Sequence, residues 1–339
     1  INTYTLFSLE NKNLDYLEVF YNYLGGVCEM GRYLLQRIVY MFITLFIIAS
    51  ATFFLMKLLP GTPFTDVATK ASPEQLEILE TRYGLNAPLP VQYAKYVGGL
   101  FQGDLGVSFQ FDNRNVTDLI LDRIGPSAQL GVQAMLFGTI LGIILGMVAA
   151  IRQNSLIDYG SNLIAIIGIS IPSFVFAGLL QYVVGVQFGL LPVARWGGFE
   201  YTILPTIALM IFPLAITARF MRTEMLEVLG TDYIELARAK GLSKTPIMFK
   251  HAMRNALIPV ITVIGPMAVS LMTGTLVIEK IFSIPGLGEQ FVRSINTNDY
   301  PMIMGTTLFF SILFVAVILI VDLLYGVIDP RIRVSGGKE

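Results

Sequence analysis

Apolar and polar positions in this chain alternate on the scale of a membrane's thickness rather than of a helix turn. Six stretches hold no charged residue, at 38–56, 128–151, 159–194, 201–218, 255–278 and 300–321, and Lys, Arg, Asp and Glu concentrate between them. A bilayer core about 30 Å thick needs roughly 20 apolar residues in a helix, and each stretch meets or approaches that length. Backbone amides in hydrocarbon have no water to bond, so helix is the structure these stretches predict. The third stretch is too long for one helix. Its tail, with Gly185, Gly189 and Pro192 and then Gly197-Gly198, reads as a loop. The fourth is short and holds Pro205 and Pro213, which leaves its edges the least defined. The expectation is an all-α integral membrane protein of six transmembrane helices.

Small and cyclic residues refine that picture. Gly138, Gly142 and Gly146 recur every four residues on one face of the second span, a spacing that lets two helix backbones approach closely. Pro172, Pro213, Pro259 and Pro266 fall inside spans, where each removes a ladder donor and is expected to kink or break its helix. No Asp, Glu, Lys or Arg stands near the centre of any span; Asp322 lies toward the end of the last. Ion-coupled carriers and voltage sensors carry such groups. Their absence argues that energy for any transport arrives from elsewhere.

The connections set the orientation, because Lys and Arg in short loops favour the cytoplasm. Arg32 and Arg37 precede the first span, Arg152 follows the second, and Arg331, Arg333 and Lys338 follow the sixth. The segment between the fourth and fifth spans holds Arg219, Arg222, Arg238, Lys240, Lys244, Lys250 and Arg254. The opposite short loops have only Arg195, Lys280 and Arg293. Both termini are therefore expected inside the cell. The long 60–123 segment, with turn residues, aromatics and mixed charge, is expected outside as a small folded cap.

Composition agrees. The chain has 339 residues, 54% hydrophobic and only 14% charged, against about 25% charged in soluble domains. Its net charge of −1 offers no basic surplus for nucleic acid. One cysteine, Cys28, and one histidine, His251, exclude an internal disulfide and nearly exclude a Cys/His zinc site. Residues 1–29 are polar and aromatic and read as a non-native or extension segment ahead of a start at Met30. The remaining divisions are 30–122 for the first helix and the cap, 123–326 for the transmembrane domain with a cytoplasmic loop at 219–255, and 327–339 for a cytoplasmic tail.

The 219–255 loop is the most informative segment. From Thr231 to Lys240 it is a good helix former with a Thr/Asp capping signal. Gly241 suits a left-handed C-terminal turn. Ser243 is placed to cap a second helix with Pro246 in its first turn, running through Phe249, Lys250 and His251. Helix, glycine turn and helix make a knob fit to dock on a partner. Composition alone leaves open an ordinary solvated basic loop. Gly241-Leu242-Ser243-Lys244-Thr245 is no phosphate loop, since it lacks the Gly-Lys pair and an upstream strand.

Glu235-Leu236-Ala237, then Arg238-Ala239-Lys240-Gly241-Leu242, His251, Arg254-Asn255-Ala256 and Pro259, resemble the "EAA" loop of ABC importer permeases, closest in the dipeptide/oligopeptide permease family. Leu59-Pro60-Gly61-Thr62-Pro63, Tyr83-Gly84-Leu85-Asn86, Gly103-Asp104-Leu105-Gly106, Ile284-Pro285-Gly286-Leu287-Gly288 and Asp329-Pro330-Arg331 resemble further segments of that family, in the same order. Leu236 and Arg254 depart from the general EAA pattern in the manner of the peptide branch. The resemblance implies a type I ABC importer transmembrane domain. It also implies a coupling loop in which Glu235, Ala237, Arg238, Ala239, Lys240, Gly241, His251, Arg254 and Asn255 seat in a cleft of cytoplasmic ATPase subunits. The implied partners are a second homologous permease, two ATPases, an extracellular or periplasmic binding protein, peptide cargo and the lipid bilayer. ATP and magnesium would sit in the ATPases, and this chain would bind no cofactor or metal and catalyse nothing. Gly286 and Gly288 are expected to permit a tight re-entrant turn. Nickel or glutathione cargo is the alternative within the family. An autonomous channel or secondary carrier is the alternative outside it, and an intramembrane enzyme lacks a catalytic constellation.

Overall fold

A computed structural model describes residues 35–58, 63–64, 73–111 and 113–328. The readings of residues 1–29, of the 59–62 turn and of the tail from 329 onward lie outside these. The chain divides between Ala51 and Thr52 into two units. Of the first, the described part is the larger portion of helix α1 (Leu35–Leu58), a strongly apolar helix. The second unit holds everything else.

Two short helices follow, α2 (Pro73–Arg82) and α3 (Leu89–Phe101). They belong to a small folded segment between the first and second spans, as expected of the cap. Phe64, Tyr83 and Phe109 form its aromatic centre, with ring centroids 4.6 Å apart for Tyr83 and Phe109 and 5.5 Å for Phe64 and Tyr83. Val107 and Asn115 make an isolated antiparallel bridge, the only β pairing among the described residues. Asp299 ties this segment to the far end of the chain: its buried carboxylate accepts from the Ser108 hydroxyl and, at 3.1 Å, from the Phe109 N–H.

The spans are α4 (Val116–Ile151), the pair α5 (Leu156–Ser170) and α6 (Ser173–Leu180), then α7 (Glu200–Leu229), α8 (Asp232–Ala239) below it, α9 (Met253–Ile281), α10 (Leu287–Asn296) and α11 (Tyr300–Ile328). Five helices are long and apolar enough to cross a bilayer alone, and the α5–α6 pair is the sixth crossing if taken as one bent span. The expected six-span, all-α membrane fold is the one found.

The third span is bent by 107°. Ile171 takes an extended conformation (φ −88°, ψ 121°) and Pro172 follows at φ −56°, ψ 136°. Proline has no N–H and pushes the residue before it out of the helical region, so the ladder stops here and restarts on the Pro172 carbonyl. The helix then continues through Gly185 as a π-helical segment to Gln187, later than expected; the loop begins at Gly189 (φ +61°). Pro205, Pro213, Pro259 and Pro266 behave differently. They sit inside α7 and α9, whose helices run on through them.

Helix α7 is the hub of the second unit. The glycine face of α4 lies against it as the four-residue spacing predicts. A methyl group at Gly138, Gly142 or Gly146 would sit 2.8, 2.8 or 2.3 Å from the carbonyl oxygens of Met210, Leu214 and Ala218. Gly168 of α5 meets the same helix, at Ala215. These contacts hold because no side chain stands between the backbones. One core joins α4, α6, α7 and α9 through Leu130, Ala134, Ala177, Leu204, Ala208 and Ile278. A second gathers Met147, Met221, Met225, Ile234, Ala252 and Ala256 at the α8 end.

All five long helices, α1, α4, α7, α9 and α11, outrun their charge-free stretches. Helix α4 starts at Val116, α7 runs to Leu229 and α9 to Ile281. Residues 219–229, read as loop, are thus the final turns of a 30-residue helix about 45 Å long.

Candidate functional site

The helix–glycine–helix segment forms around α8. Ile234 and Ala237, three residues apart on one helical face, are buried in the second core, while Glu235, Leu236, Arg238, Ala239 and Lys240 are exposed on the others. That exposed face mixes an acid, two bases and a large apolar side chain, Leu236 at 56% exposure. Gly241 closes the helix at φ +79°. Its N–H bonds to the Arg238 carbonyl at 2.9 Å and the Leu242 N–H to that of Ala237 at 3.2 Å, the paired pattern of a Schellman turn. A methyl at Gly241 would meet open space, so it is the backbone angle alone that asks for glycine.

One local expectation is corrected and another refined. Thr231 does not cap α8 with its side chain; its hydroxyl donates to the Val228 carbonyl at 2.6 Å, linking the helix back to α7. The expected second helix follows the turn, with Pro246 in its first turn, but it is continuous with the fifth span. A single turn at Lys244–Pro246 passes into a π-helical segment, Ile247–Ala252, that leads directly into α9. His251 is half-buried in that segment, and Arg254 is exposed one turn on. Asn255 has a defined contact: its Nδ2–H donates to the Tyr233 hydroxyl at 2.7 Å. The predicted residues therefore share one end of the molecule, on two elements that touch through this bond and through their apolar faces.

Beside them lies a pair that the sequence reading named only as a flanking positive charge. Arg222, near the end of α7, grips Asp158 in the first turn of α5 through Nε at 2.6 Å and Nη2 at 2.8 Å. The Asp158 side chain is 2% exposed, and it also accepts from the Asn154 N–H at 2.9 Å and from Asn162 Nδ2 at 3.0 Å. This two-pronged clamp ties the first turn of α5 to the end of α7.

At the opposite end, Glu279 is an ionisable group inside a helix, just beyond the 255–278 charge-free stretch rather than near its centre. It is fully buried two residues before α9 ends. Its carboxylate accepts from the N–H groups of Gly288 (2.7 Å) and Glu289 (3.0 Å) and from the Ser127 hydroxyl (2.7 Å). Ser127 in turn accepts from the Leu287 N–H at 2.8 Å. The unpaired donors that begin any helix are thus satisfied in α10 by side chains of α9 and α4. Gly286 and Gly288 serve this cradle through space rather than backbone angle, since a methyl at either would come within 3 Å of the Glu279 carboxylate. No periodicity could have exposed Glu279, because its partners lie on other helices, Ser127 of α4 being 152 residues away.

The family model described as "Binding-protein-dependent transport system inner membrane component" matches residues 142–334, and its N-terminal companion matches residues 30–131. Among curated relatives, the dipeptide transport system permease protein DppB of Lactococcus lactis subsp. cremoris is 48% identical over 304 residues, covering 90% of this chain and 100% of that one. DppB of Bacillus subtilis is 44% identical, covering 90% and 98%. The oligopeptide transport system permease protein OppB of Haemophilus influenzae is 41% identical over 306 residues, covering 90% and 100%. Among solved structures, a chain from inward-facing forms of the MetNI methionine ABC transporter matches with TM-score 0.51 at 16% identity, over 63% of this chain and 97% of that one, a likeness of fold. The chain therefore belongs to the binding-protein-dependent transport system inner membrane component family, together with these dipeptide and oligopeptide permeases.

Proposed function

We propose that this chain is one permease subunit of an ATP-driven importer of dipeptides or oligopeptides in the bacterial cell membrane, and that α8 with its Gly241 turn couples it to the motor. It has no catalytic role of its own; two cytoplasmic ATPases bind ATP and magnesium, a second homologous permease completes the pathway, and an external binding protein delivers peptide. The relatives reported above are named for dipeptides and oligopeptides, which favours peptide over nickel or glutathione. Both termini and α8 lie in the cytoplasm, and the α2–α3 segment lies outside.

The observation that carries the coupling role is the division of labour on α8. Its buried face, Ile234 and Ala237, joins it to α7 and α9, and its outer face carries Glu235, Leu236, Ala239 and Lys240. A partner that binds this face differently in its two nucleotide states shifts the span equilibrium by that difference in affinity. The Asn255–Tyr233 bond and the Asp158–Arg222 clamp carry the displacement into α9 and α5.

Gly241→Val tests this. A β-branched residue at φ +79° costs about 1–2 kcal/mol and misplaces the turn without touching the packed core. In the assembled transporter, peptide uptake falls at least roughly tenfold while ATP hydrolysis continues and membrane insertion is unchanged. Gly241→Asn, which tolerates the left-handed region better, keeps more uptake. Wild-type uptake in the valine variant would remove the coupling role.

A further inference from the structure

We infer that a cleft at the end of the second unit away from α8 receives the carboxylate of a short peptide, with Arg293 as its anchor; this rests on the importer reading above. The cleft measures about 720 Å³, within the roughly 300–1,000 Å³ range of small-ligand sites. It lies between the start of α4, helix α10 and the segment before α7, and Phe111 and Trp196 stand in its lining. Helix α7 begins beside the cleft and ends at α8, so the two sites are separated by about the 45 Å of that helix.

The charges in the lining are unevenly committed. Arg114 is paired with Asp122 at 2.6 Å. Arg123 is paired with Glu289 at 3.4 Å, and Glu289 is also approached by Lys280 at 3.9 Å. Arg293 has no carboxylate within ion-pair distance among the described residues; its guanidinium sits over the Phe111 ring, 4.8 Å from the centroid. Stacking on an aromatic face leaves the in-plane N–H groups of arginine free to fork a carboxylate. Arg293 is also held in place rather than left on a loose loop, because Glu279 and Ser127 fix the first turn of α10. A concave, aromatic-walled space with one uncommitted arginine fits a peptide carboxylate better than the convex surface of a docked protein, which would meet only the rim.

The test uses the assembled transporter in proteoliposomes with loaded binding protein, and compares Arg293→Gln with the parent. Three probes separate the sources of the carboxylate: trialanine, trialanine amide and Ala-Glu-Ala amide. Because the binding protein is the same in both cases, the variant-to-parent uptake ratio for each peptide reports on the permease. A ratio for trialanine roughly tenfold below that for trialanine amide assigns Arg293 to the peptide terminus. The same loss for Ala-Glu-Ala amide extends the assignment to acidic side chains, and Arg293→Lys restores part of it. Equal ratios for all three probes overturn the inference. Equal ratios together with weaker binding of empty binding protein assign the cleft to docking instead. If the parent assembly takes up none of the three peptides, it is the importer reading that fails.

Discussion

At the residue scale, glycines that look alike in the sequence do unlike work. Gly241 is required by its backbone angle and has open space around it, whereas Gly146 has ordinary helical geometry and no space at all. The first was legible from its place after a well-formed helix, and the second from its four-residue period. Gly286 and Gly288 were legible as a turn, but the reason for them, the Glu279 carboxylate, was not. Asp299 was likewise unremarked, yet it closes the cap segment onto α11. Burial raises its pKa above the ordinary carboxylate value against the pull of the Ser108 and Phe109 donors. The folded form then holds its proton more tightly than the unfolded form. The stabilisation is complete below the ordinary carboxylate pKa and is lost as pH rises through the raised folded value. Hydrogen-exchange protection around Ser108 and Phe109, corrected for intrinsic rates, should therefore fall as pH rises above the ordinary carboxylate range. Asp299→Asn, which keeps the shape without the titration, should flatten that fall; an identical slope in the two proteins would refute this account of Asp299.

At the element scale, the decisive relation is between α5 and α7. Arg222 and Asp158 are far apart in sequence, one after an apolar run and the other just before one, so the sequence offers two unrelated charges where the structure has one clamp. Removing one partner strands the other with its solvation already lost. Arg222→Leu should lower the stability of the detergent-solubilised protein by about 3 kcal/mol. The double variant Arg222→Leu with Asp158→Leu should lose markedly less, since no buried charge is left alone. Unfolding midpoints for the single and double variants decide this, and equal losses would mean the clamp contributes little. The extension of α7 through Leu229 belongs to the same scale. Charged side chains at 219–227 marked the end of the apolar run, not the end of the helix, because a helix leaving the bilayer keeps its hydrogen bonds in water.

At the scale of the whole molecule, the proposed orientation places the Arg293 cleft outside and α8 inside. Lys280, whose side chain is 62% exposed, lies near the outer end, and exposed Lys240 lies beside Gly241. An impermeant amine reagent applied to intact cells should label Lys280 and spare Lys240, while opened vesicles should expose both. Labelling of Lys240 in sealed cells would invert the orientation.

Apolar length and basic residues were enough to read the helical class, the number of crossings, the break at Pro172 and the glycine seam, because each depends on neighbours along the chain and on transfer from water to hydrocarbon. Where each helix ends, and which polar groups meet, depended on folding in three dimensions. Glu279 finds Ser127, Arg222 finds Asp158, and Asn255 finds Tyr233 across separations that no local period encodes. Buried polar groups must be satisfied wherever the packed backbone brings a partner, and only the assembled helices determine which partner that is.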